Sequence, residues 1–157
     1  MGIAASPADE LAAGTFRLAI AAARYNESIV SGLLAGARAA WKAHGGSEQA
    51  LQVEQVPGAF ELPLAARALA LQRGIDGVIA LGCVIRGDTA HFEYVAGQCA
   101  AGLQRVMLDT GVPVSFGVLT VETLAQAQER AAPGLGNKGH EALETALAMA
   151  SLLRRLK

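Results

Sequence analysis

The sequence predicts an α/β fold in which helices cover both faces of a four-stranded parallel sheet. Short apolar segments alternate with longer segments of helical periodicity, in the order β-α-β-α-β-α-β-α-α. Parallel strands need long crossover connections, and the helices in those connections cover the sheet. Ligands of such sheets bind beyond the carboxyl ends of the strands, so the residues there are the first candidates for function.

The four predicted strands are bounded by turn-forming residues. Phe16–Ala23 and Gly77–Ile85 are apolar throughout, which is typical of strands buried on both faces. Leu51–Val56 alternates apolar and polar residues before a Pro-Gly turn, and Pro113–Leu119 is the fourth strand.

Helical periodicity predicts five helices. Asn26 is the expected cap of the first, which runs on to a stop at Gly45. Thr120 is a candidate cap of the fourth. The helices after the first are predicted at Glu61–Leu71, Thr89–Asp109, Glu122–Ala132 and Asn137–Leu156.

Composition limits the class of protein. The chain has 157 residues, 52% hydrophobic and 17% charged, which suits one folded domain over residues 15–157. Residues 1–14 are small and mildly acidic, so we expect a flexible segment without a secretory signal, and a cytoplasmic protein. The net charge of −1 argues against a nucleic-acid partner. No apolar run approaches the ~20 residues of a membrane span, and the low charged fraction favours burial of surface between copies.

Metal and cofactor binding are not expected from the sequence. The two cysteines, Cys83 and Cys99, do not have zinc-site spacing and are predicted to be free, buried thiols. His44 and His140 have surface or capping explanations. Gly134–Gly139 formally matches GxGxxG, but it follows a helix rather than a strand, so we interpret it as a turn.

The turn after the third predicted strand has the features of a phosphate site. Arg86–Thr89 leads into a helix whose first turn carries His91. Free backbone N–H groups and the helix dipole attract anions there, and a histidine can move protons near neutral pH. His91 is therefore either a general acid/base or a helix-start histidine. Asp88 would repel an anion unless its side chain caps the helix and turns away.

Other candidates at the strand ends have two readings each. Tyr25 can stack on a flat ring or pack on its own helix, and for Phe60 core packing is favoured. Glu61 suits either the helix dipole or a ligand. Arg130 can supply the missing cation, although a solvated helix arginine is the default.

Taken together, these motifs resemble the lumazine synthase family from about Phe16 to the C-terminus. Their order and spacing follow that family, and the set is specific although each motif alone is weak. The matching segments are Arg24–Asn26, Val56–Pro63, Gly82–His91, Val112–Gly117, Leu119–Glu122, Glu129–Arg130 and Gly136–Gly139.

The resemblance implies a flavodoxin-like three-layer αβα sandwich and a transferase of riboflavin biosynthesis that works without a cofactor. Its substrates are 5-amino-6-(D-ribitylamino)uracil and 3,4-dihydroxy-2-butanone 4-phosphate, and its products are 6,7-dimethyl-8-ribityllumazine, phosphate and water. The alternative is a non-catalytic flavin- or phosphate-binding protein, or a shell-forming paralogue.

The resemblance also implies which residues bind the pyrimidine substrate. Tyr25, followed by Asn26, takes the position of an aromatic residue that stacks on the ring. The ribityl chain is held by a segment of three residues: Ala59, Phe60 and Glu61. The pyrimidine edge is read by the backbone of a second segment: Cys83, Val84 and Ile85.

The phosphate and the chemistry are assigned in the same way. Asp88 and Thr89 take the phosphate-loop positions, and His91 that of the general acid/base. Arg130 takes the position of the arginine that clamps the phosphate. Two further positions belong to the same site: Phe116, a ring contact supplied by the adjacent subunit, and Lys138.

Assembly follows from the resemblance as well. Members form homopentamers with active sites shared between neighbours, and some close twelve pentamers into a sixty-subunit icosahedral shell. The compact Gly134–Gly139 turn resembles that of the shell-forming members, so a shell is expected. The same resemblance makes riboflavin synthase a candidate partner. The N-terminal segment is a candidate for an added edge strand on the sheet of a neighbouring subunit.

Overall fold

The computed structural model describes residues 11–157, and it has the predicted architecture. Four strands pair in parallel in the order β2-β1-β3-β4. The strands are β1 (Leu18–Ala23), β2 (Leu51–Val56), β3 (Gly77–Ile85) and β4 (Val114–Val121). The helices are α1 (Glu27–Ala43), α2 (Leu62–Ala70), α3 (His91–Thr110), α4 (Leu124–Ala131) and α5 (Lys138–Arg155).

The sheet separates two hydrophobic cores, which confirms the three-layer sandwich. All of β1 is buried, and its side chains alternate between the two faces. Leu18 and Ile20 pack with α1, α4 and α5, whereas Ala19 and Ala21 pack with α2 and α3. Within residues 11–157, no helix has the length and apolarity needed to cross a bilayer.

Two predicted helix caps are corrected by the structure. β4 continues to Val121, so Thr120 lies inside the strand, and the cap of α4 is Thr123, whose Oγ1 accepts from the N–H of Gln126 at 3.2 Å. Asn26 occupies the N-cap position of α1 but its side chain does not cap the helix. Asn26 has φ 58° and instead bonds a neighbouring strand. Tertiary contacts therefore decide which polar residue serves each helix end.

The start of α5 is fixed against α1 by one glycine and one buried asparagine. A Cβ at Gly139 would lie 1.9 Å from the carbonyl oxygen of Leu33, so only glycine allows the observed approach. The Nδ2 of Asn137 donates to the carbonyl oxygens of Gly32, Ala131 and Ala132 at 2.9–3.1 Å. Gly139 in the GxGxxG-like segment thus serves helix packing rather than the turn.

The chain before β1 is only partly described. The expected flexible segment falls mostly on residues 1–10, which lie outside the described residues. Leu11 and Ala13 are buried in the core on the α1 face of the sheet. The N–H of Ala13 donates to the carbonyl oxygen of His44 at 2.9 Å, so these positions are held against the end of α1.

Candidate active site

A cleft of about 690 Å³, the main cleft, opens at the carboxyl ends of β1, β2 and β3. This is the edge at which parallel α/β sheets bind ligands. The structure brings most of the predicted site residues together here. The main cleft is lined by Tyr25, Asn26, Gly58, Ala59, Phe60, Glu61, Cys83, Val84, Ile85, Gly87, Thr89, His91, Phe92, Tyr94 and Val95.

The main cleft lies where the order of the strands reverses. From β1 the chain passes first to β2 on one side and then to β3 on the other, which leaves a crevice between the ends of β1 and β3. The Nδ2 of Asn26 crosses this crevice and donates to the carbonyl oxygen of Cys83 at 2.9 Å. The left-handed backbone of Asn26 aims its side chain there, so this asparagine ties the two sides of the cleft together.

Two aromatic side chains stand exposed in the main cleft. Tyr25 is 74% exposed and Phe60 is 58% exposed. The prediction that Phe60 packs in the core is therefore wrong, and Tyr25 does not pack on its own helix. Phe60 lies in a short 3-10 turn whose buried member is Ala59 instead. Exposed rings at a concave surface are suited to stacking on a flat ligand.

The position of Glu61 is compatible with both readings, interaction with the helix dipole and contact with a ligand. It occupies the N-cap position of α2, where the helix dipole stabilises a carboxylate, and its side chain makes no cap hydrogen bond. The same residue lines the main cleft. Its oxygens are therefore available to the hydroxyl groups of a ligand.

The turn between β3 and α3 presents unpaired backbone donors. The N–H groups of residues 87–90 make no hydrogen bond to any residue between 11 and 157. Gly87, Thr89 and His91 all line the main cleft beside these groups. Consecutive free N–H groups at a helix amino end are the donors that an anion site needs, so the described chain has the backbone geometry expected of the predicted cradle.

The side chain of Asp88 does not cap α3, as the sequence analysis had suggested it could. The N-cap of α3 is Ala90, and the N–H of His91 donates to Thr89 Oγ1 at 3.3 Å. Asp88 is exposed, does not cap α3 and is not among the residues that line the main cleft. Thr89, rather than Asp88, supplies the side-chain contact at this helix start.

The arginine nearest the cradle is neutralised by its neighbours. Arg86 forms ion pairs with Glu93 and with Glu122, the second at 2.8 Å between Nε and Oε2. Its guanidinium also lies 4.3 Å from the centre of the Phe92 ring. The hydrogen bond from Arg86 lowers the pKa of the Glu93 carboxyl. Arg86 therefore does not give the turn an unpaired positive charge.

The other two cationic candidates, Arg130 and Lys138, lie on a second cleft, of about 400 Å³, which runs along β4 on the α5 side; we call it the β4 cleft. Arg130 donates to the carbonyl oxygen of Gln126 at 3.0 Å and remains 41% exposed at its side chain. The Nζ of Lys138 binds both carboxylate oxygens of Glu141 at 2.9 and 3.0 Å. Phe116 is 46% exposed at the same place.

The two clefts have no lining residue in common. Phe116, Arg130 and Lys138 line the β4 cleft, whereas His91 and the other predicted site residues, apart from Asp88, line the main cleft. Strand order separates the two clefts, since the main cleft opens between the ends of β1 and β3, whereas β4 lies on the far side of β3 at one edge of the sheet. The sequence also missed Ser115 in the β4 cleft, a buried hydroxyl without a hydrogen-bond partner among the described residues.

The thiols are buried, as predicted. Desolvation raises the pKa of both Cys83 and Cys99 to about 11, so each stays protonated near neutral pH. Cys83 nevertheless lines the main cleft, and its carbonyl oxygen receives the bond from Asn26. Among the described residues, the one hydrogen bond that links Cys83 to another residue of the main cleft is therefore made by its backbone and not by its thiol.

The expectation that no metal-ligating residues cluster is corrected by the fold. His44, His140 and Glu144 place one ligand atom each within 4.8 Å of one another. His140 and Glu144 are four residues apart on α5, and His44 follows the end of α1. Spacing along the chain could not reveal the third member, because it comes from a helix about a hundred residues away.

Comparison with known proteins agrees with this geometry. Residues 15–154 match the 6,7-dimethyl-8-ribityllumazine synthase family. The chain is 52% identical over 146 residues to the 6,7-dimethyl-8-ribityllumazine synthase of Thermus thermophilus, covering 93% of both chains. It is 53% identical over 148 residues to that of Edwardsiella ictaluri, covering 94% of this chain and 95% of the relative. The chain therefore belongs to the 6,7-dimethyl-8-ribityllumazine synthase family.

Proposed function

We propose that this protein condenses 5-amino-6-(D-ribitylamino)uracil with 3,4-dihydroxy-2-butanone 4-phosphate in riboflavin biosynthesis. The products are 6,7-dimethyl-8-ribityllumazine, phosphate and water. The observation that carries the proposal is the main cleft, which joins exposed aromatic rings, a row of free N–H groups and His91. A stacking surface, an anion cradle and a proton carrier are what this pair of substrates requires.

In the proposed binding mode the pyrimidine ring stacks on Tyr25. The backbone of Cys83, Val84 and Ile85 reads the edge of the ring, and the ribityl hydroxyls bond the segment from Ala59 to Glu61. The observed exposure of Tyr25 and Phe60 and the uncapped carboxylate of Glu61 support this arrangement. Because these groups are fixed by strand ends, they hold the ring without large rearrangement.

The chemistry needs proton transfer and a place for phosphate. The amine of the pyrimidine attacks the ketone and water leaves to give an imine; loss of phosphate and ring closure, with a second water leaving, complete the product. His91, exposed at the start of α3, carries protons between these steps. The N–H groups of residues 87–90 and Thr89 hold the phosphate as it departs. Every step is a condensation, elimination or cyclisation, so the mechanism works without a redox cofactor.

We propose that the positive charge for this phosphate comes from an adjacent subunit. Arg130, Lys138 and Phe116 line a different surface of the chain from the cradle, and the two clefts share no residue. A second copy that docks its β4 cleft over the main cleft brings Arg130 to the phosphate and Phe116 to the ring. A homopentamer with five shared sites satisfies this requirement by a closed heterologous interface.

The described surface supports assembly of this kind. Large apolar side chains on the α2–α3 layer are exposed in the single chain, among them Leu64, Tyr94 and Leu108 at 75%, 68% and 75%. We extend the proposal to a single domain over residues 15–157, a cytoplasmic location, closure of twelve pentamers into a shell, and association with riboflavin synthase. The compact turn at residues 134–139, with Leu135 82% exposed, supports a shell contact at that position.

Turnover tests the proposed reaction directly. Purified, assembled protein is mixed with both substrates, and lumazine fluorescence is followed against the uncatalysed background. Product formation above background that needs both substrates is the expected result. A folded and assembled sample that gives no product would overturn the enzyme assignment in favour of a binding or shell-forming paralogue.

Subunit complementation tests whether the site is shared. One variant, Tyr25→Ala with His91→Ala, disables the main cleft, and another, Arg130→Ala, disables the β4 cleft. If each site combines the two clefts from neighbouring chains, random co-assembly in equal amounts restores about a quarter of the wild-type sites. If the mixed assemblies are no more active than the average of the two variants, each active site is built from a single chain and the proposal of a shared site is wrong.

A further inference from the structure

Two histidines and one glutamate converge between the end of α1 and the first turns of α5. The Nε2 of His44 lies 2.8 Å from Glu144 Oε1, and the Nε2 of His140 lies 3.2 Å from the same oxygen. These side chains are 22%, 12% and 32% exposed for His44, His140 and Glu144. None of them lines the main cleft or the β4 cleft, so the proposed reaction does not use them.

The arrangement has the dimensions of a small-ion site. All three ligand atoms lie within 4.8 Å of one another. Ligands at about 2.0–2.2 Å from a tetrahedral Zn²⁺ are about 3.3–3.5 Å apart. The two nitrogens stand 2.8 and 3.2 Å from the carboxylate oxygen, slightly closer than these ligand separations, so side-chain rotations that adjust the three separations toward these values admit an ion.

The charge at this point favours a cation. The ion pairs that the described chain offers to Glu144 are with the two histidines, which are positive only when protonated. With neutral imidazoles the carboxylate charge is left without a balancing cation. The carbonyl groups at the end of α1, which His44 follows, add negative potential. The amino end of α5 acts in the opposite sense, but Asn137 Oδ1 already accepts from its N–H groups at positions 139 and 140.

The backbones that carry the three side chains are held in place. The N–H of His44 donates to Ala40 and its carbonyl oxygen accepts from Ala13. The start of α5 is fixed by Asn137 and by the close approach of Gly139 to Leu33. A metal site gains affinity when its ligands are positioned in advance by rigid elements.

We propose that His44, His140 and Glu144 bind one divalent transition-metal ion per chain, and that Zn²⁺ fits this ligand set best. Two imidazoles and one carboxylate are a common zinc set, with the remaining coordination filled by water. Binding moves the Nε2 proton of each neutral histidine to Nδ1, so that both Nε2 lone pairs face the ion. The bound ion joins the end of α1 to α5 and stabilises the α1–α5 layer without entering either cleft.

The test is zinc binding to the assembled protein without an affinity tag, measured by competition with a chromophoric chelator. We expect one ion per chain with a dissociation constant on the order of 1 μM or tighter, and a higher Tm with Zn²⁺ than with a chelator. Co²⁺ substitution gives visible absorption bands that report nitrogen and oxygen ligands directly. The absence of any ion bound per chain at about 100 μM Zn²⁺ would overturn the proposal.

Matched variants identify the site. His140→Gln and Glu144→Gln are expected to weaken zinc binding at least about tenfold, because loss of even an outer partner of a ligand costs about 10–100-fold. His91→Gln removes the remaining histidine of the chain and is expected to leave zinc affinity unchanged. Equal affinity in all three variants would refute the assignment. Glu144→Gln keeps side-chain size and an oxygen acceptor, so it carries the test if His140→Gln does not fold.

Discussion

The main cleft and the β4 cleft differ in what they offer a ligand. The main cleft has exposed rings, backbone donors and His91, but no lysine or arginine among the described residues that line it. The β4 cleft has Arg130 and Lys138, and its described lining contains no histidine. The exposed rings and backbone donors thus lie on one surface of the described chain, and Arg130 and Lys138 lie on another. Because neither cleft by itself offers both sets of groups, this difference is the physical basis for proposing a site shared between subunits.

The clefts are also held together in different ways. Asn26 stabilises the main cleft with one hydrogen bond from its side chain to the carbonyl oxygen of Cys83. Asn137, 1% exposed, bonds three carbonyl oxygens and caps α5 next to Lys138. The main cleft depends on the strand ends themselves, whereas the β4 cleft depends on a buried polar network between helices.

The largest expected effect is that of Asn137→Ala. Three carbonyl groups and the start of α5 lose their partner, and we expect a loss of about 3–5 kcal/mol in the free energy of unfolding. Denaturant unfolding measures this loss. Asn26→Gly is the matched control, because glycine accepts the left-handed backbone and only one hydrogen bond is lost, about 1 kcal/mol. Equal losses in the two variants would contradict the difference between the clefts.

Arg130→Ala is expected to lower kcat/KM by about 100-fold, or about 3 kcal/mol, because the phosphate of the substrate loses its cation from the moment it binds. The loss is expected mainly as a higher KM for the phosphate substrate, with little change for the pyrimidine. Steady-state kinetics with each substrate varied, and inhibition by inorganic phosphate, measure the two effects. Glu129→Gln, which removes a carboxylate 3.9 Å from Arg130, is the control and should have a small effect. Unchanged phosphate affinity in Arg130→Ala would refute the role of the β4 cleft.

His91→Ala is expected to slow turnover only about tenfold, less than the 10²–10⁴ typical of acid–base catalysis. Both substrates stay bound in the variant, and their proximity supplies much of the acceleration. Single-turnover rates and substrate affinities separate the two contributions. A total loss of turnover with binding intact would show that proton transfer, rather than positioning, dominates in the main cleft.

The smallest expected effect on activity is that of Cys83→Ala, with kcat within about twofold of the wild type, because the proposed site uses the backbone of this residue.

Thiol reagents at pH 8 are expected to react slowly with the folded protein, because burial raises the pKa of both thiols to about 11. Fast modification that abolishes activity would indicate that the Cys83 side chain matters.

The same thiols predict how stability changes in alkali. Unfolded thiols ionise near the ordinary cysteine pKa of 9.0, whereas the folded ones ionise near a pKa of about 11. Above pH 9 the unfolded chain binds fewer protons than the folded chain, so stability falls as pH rises from 9 to about 11 and is unaffected by these groups below 9. Unfolding at pH 8 and pH 10.5 measures the fall. A Cys83→Ala, Cys99→Ala double variant should show a smaller fall in the free energy of unfolding between these two pH values.

Much of the fold follows from local pattern. β2 and β3 have the predicted bounds, and the five helices lie where the periodicity indicates. The helix caps were less predictable, since Asn26 and Thr120 are good capping residues by type but have other positions in the fold. Asn26 bonds across to β3, and Thr120 lies within β4. A cap depends on where the helix starts, and that is set by contacts with other elements.

The site was predictable to the extent that it lies at strand ends. Tyr25, Glu61 and His91 follow successive strands, and parallel pairing brings such residues to one edge of the sheet. Phe60 was expected in the core because aromatic side chains usually pack there, yet a tight 3-10 turn exposes it. The separation of Arg130 from His91 is not visible in the chain, because it depends on which strand lies at the edge.

The sequence by itself determined the alternation of strands and helices, the glycine turn between β3 and α3, and the family to which the chain belongs. These features reside in local periodicity and in short segments whose order is kept. Only the tertiary structure decided that the cations face a separate cleft and that His44 meets His140 and Glu144. These contacts and separations involve residues far apart in the chain. They are set by helix packing and by the order of strands in the sheet, which local sequence patterns do not encode.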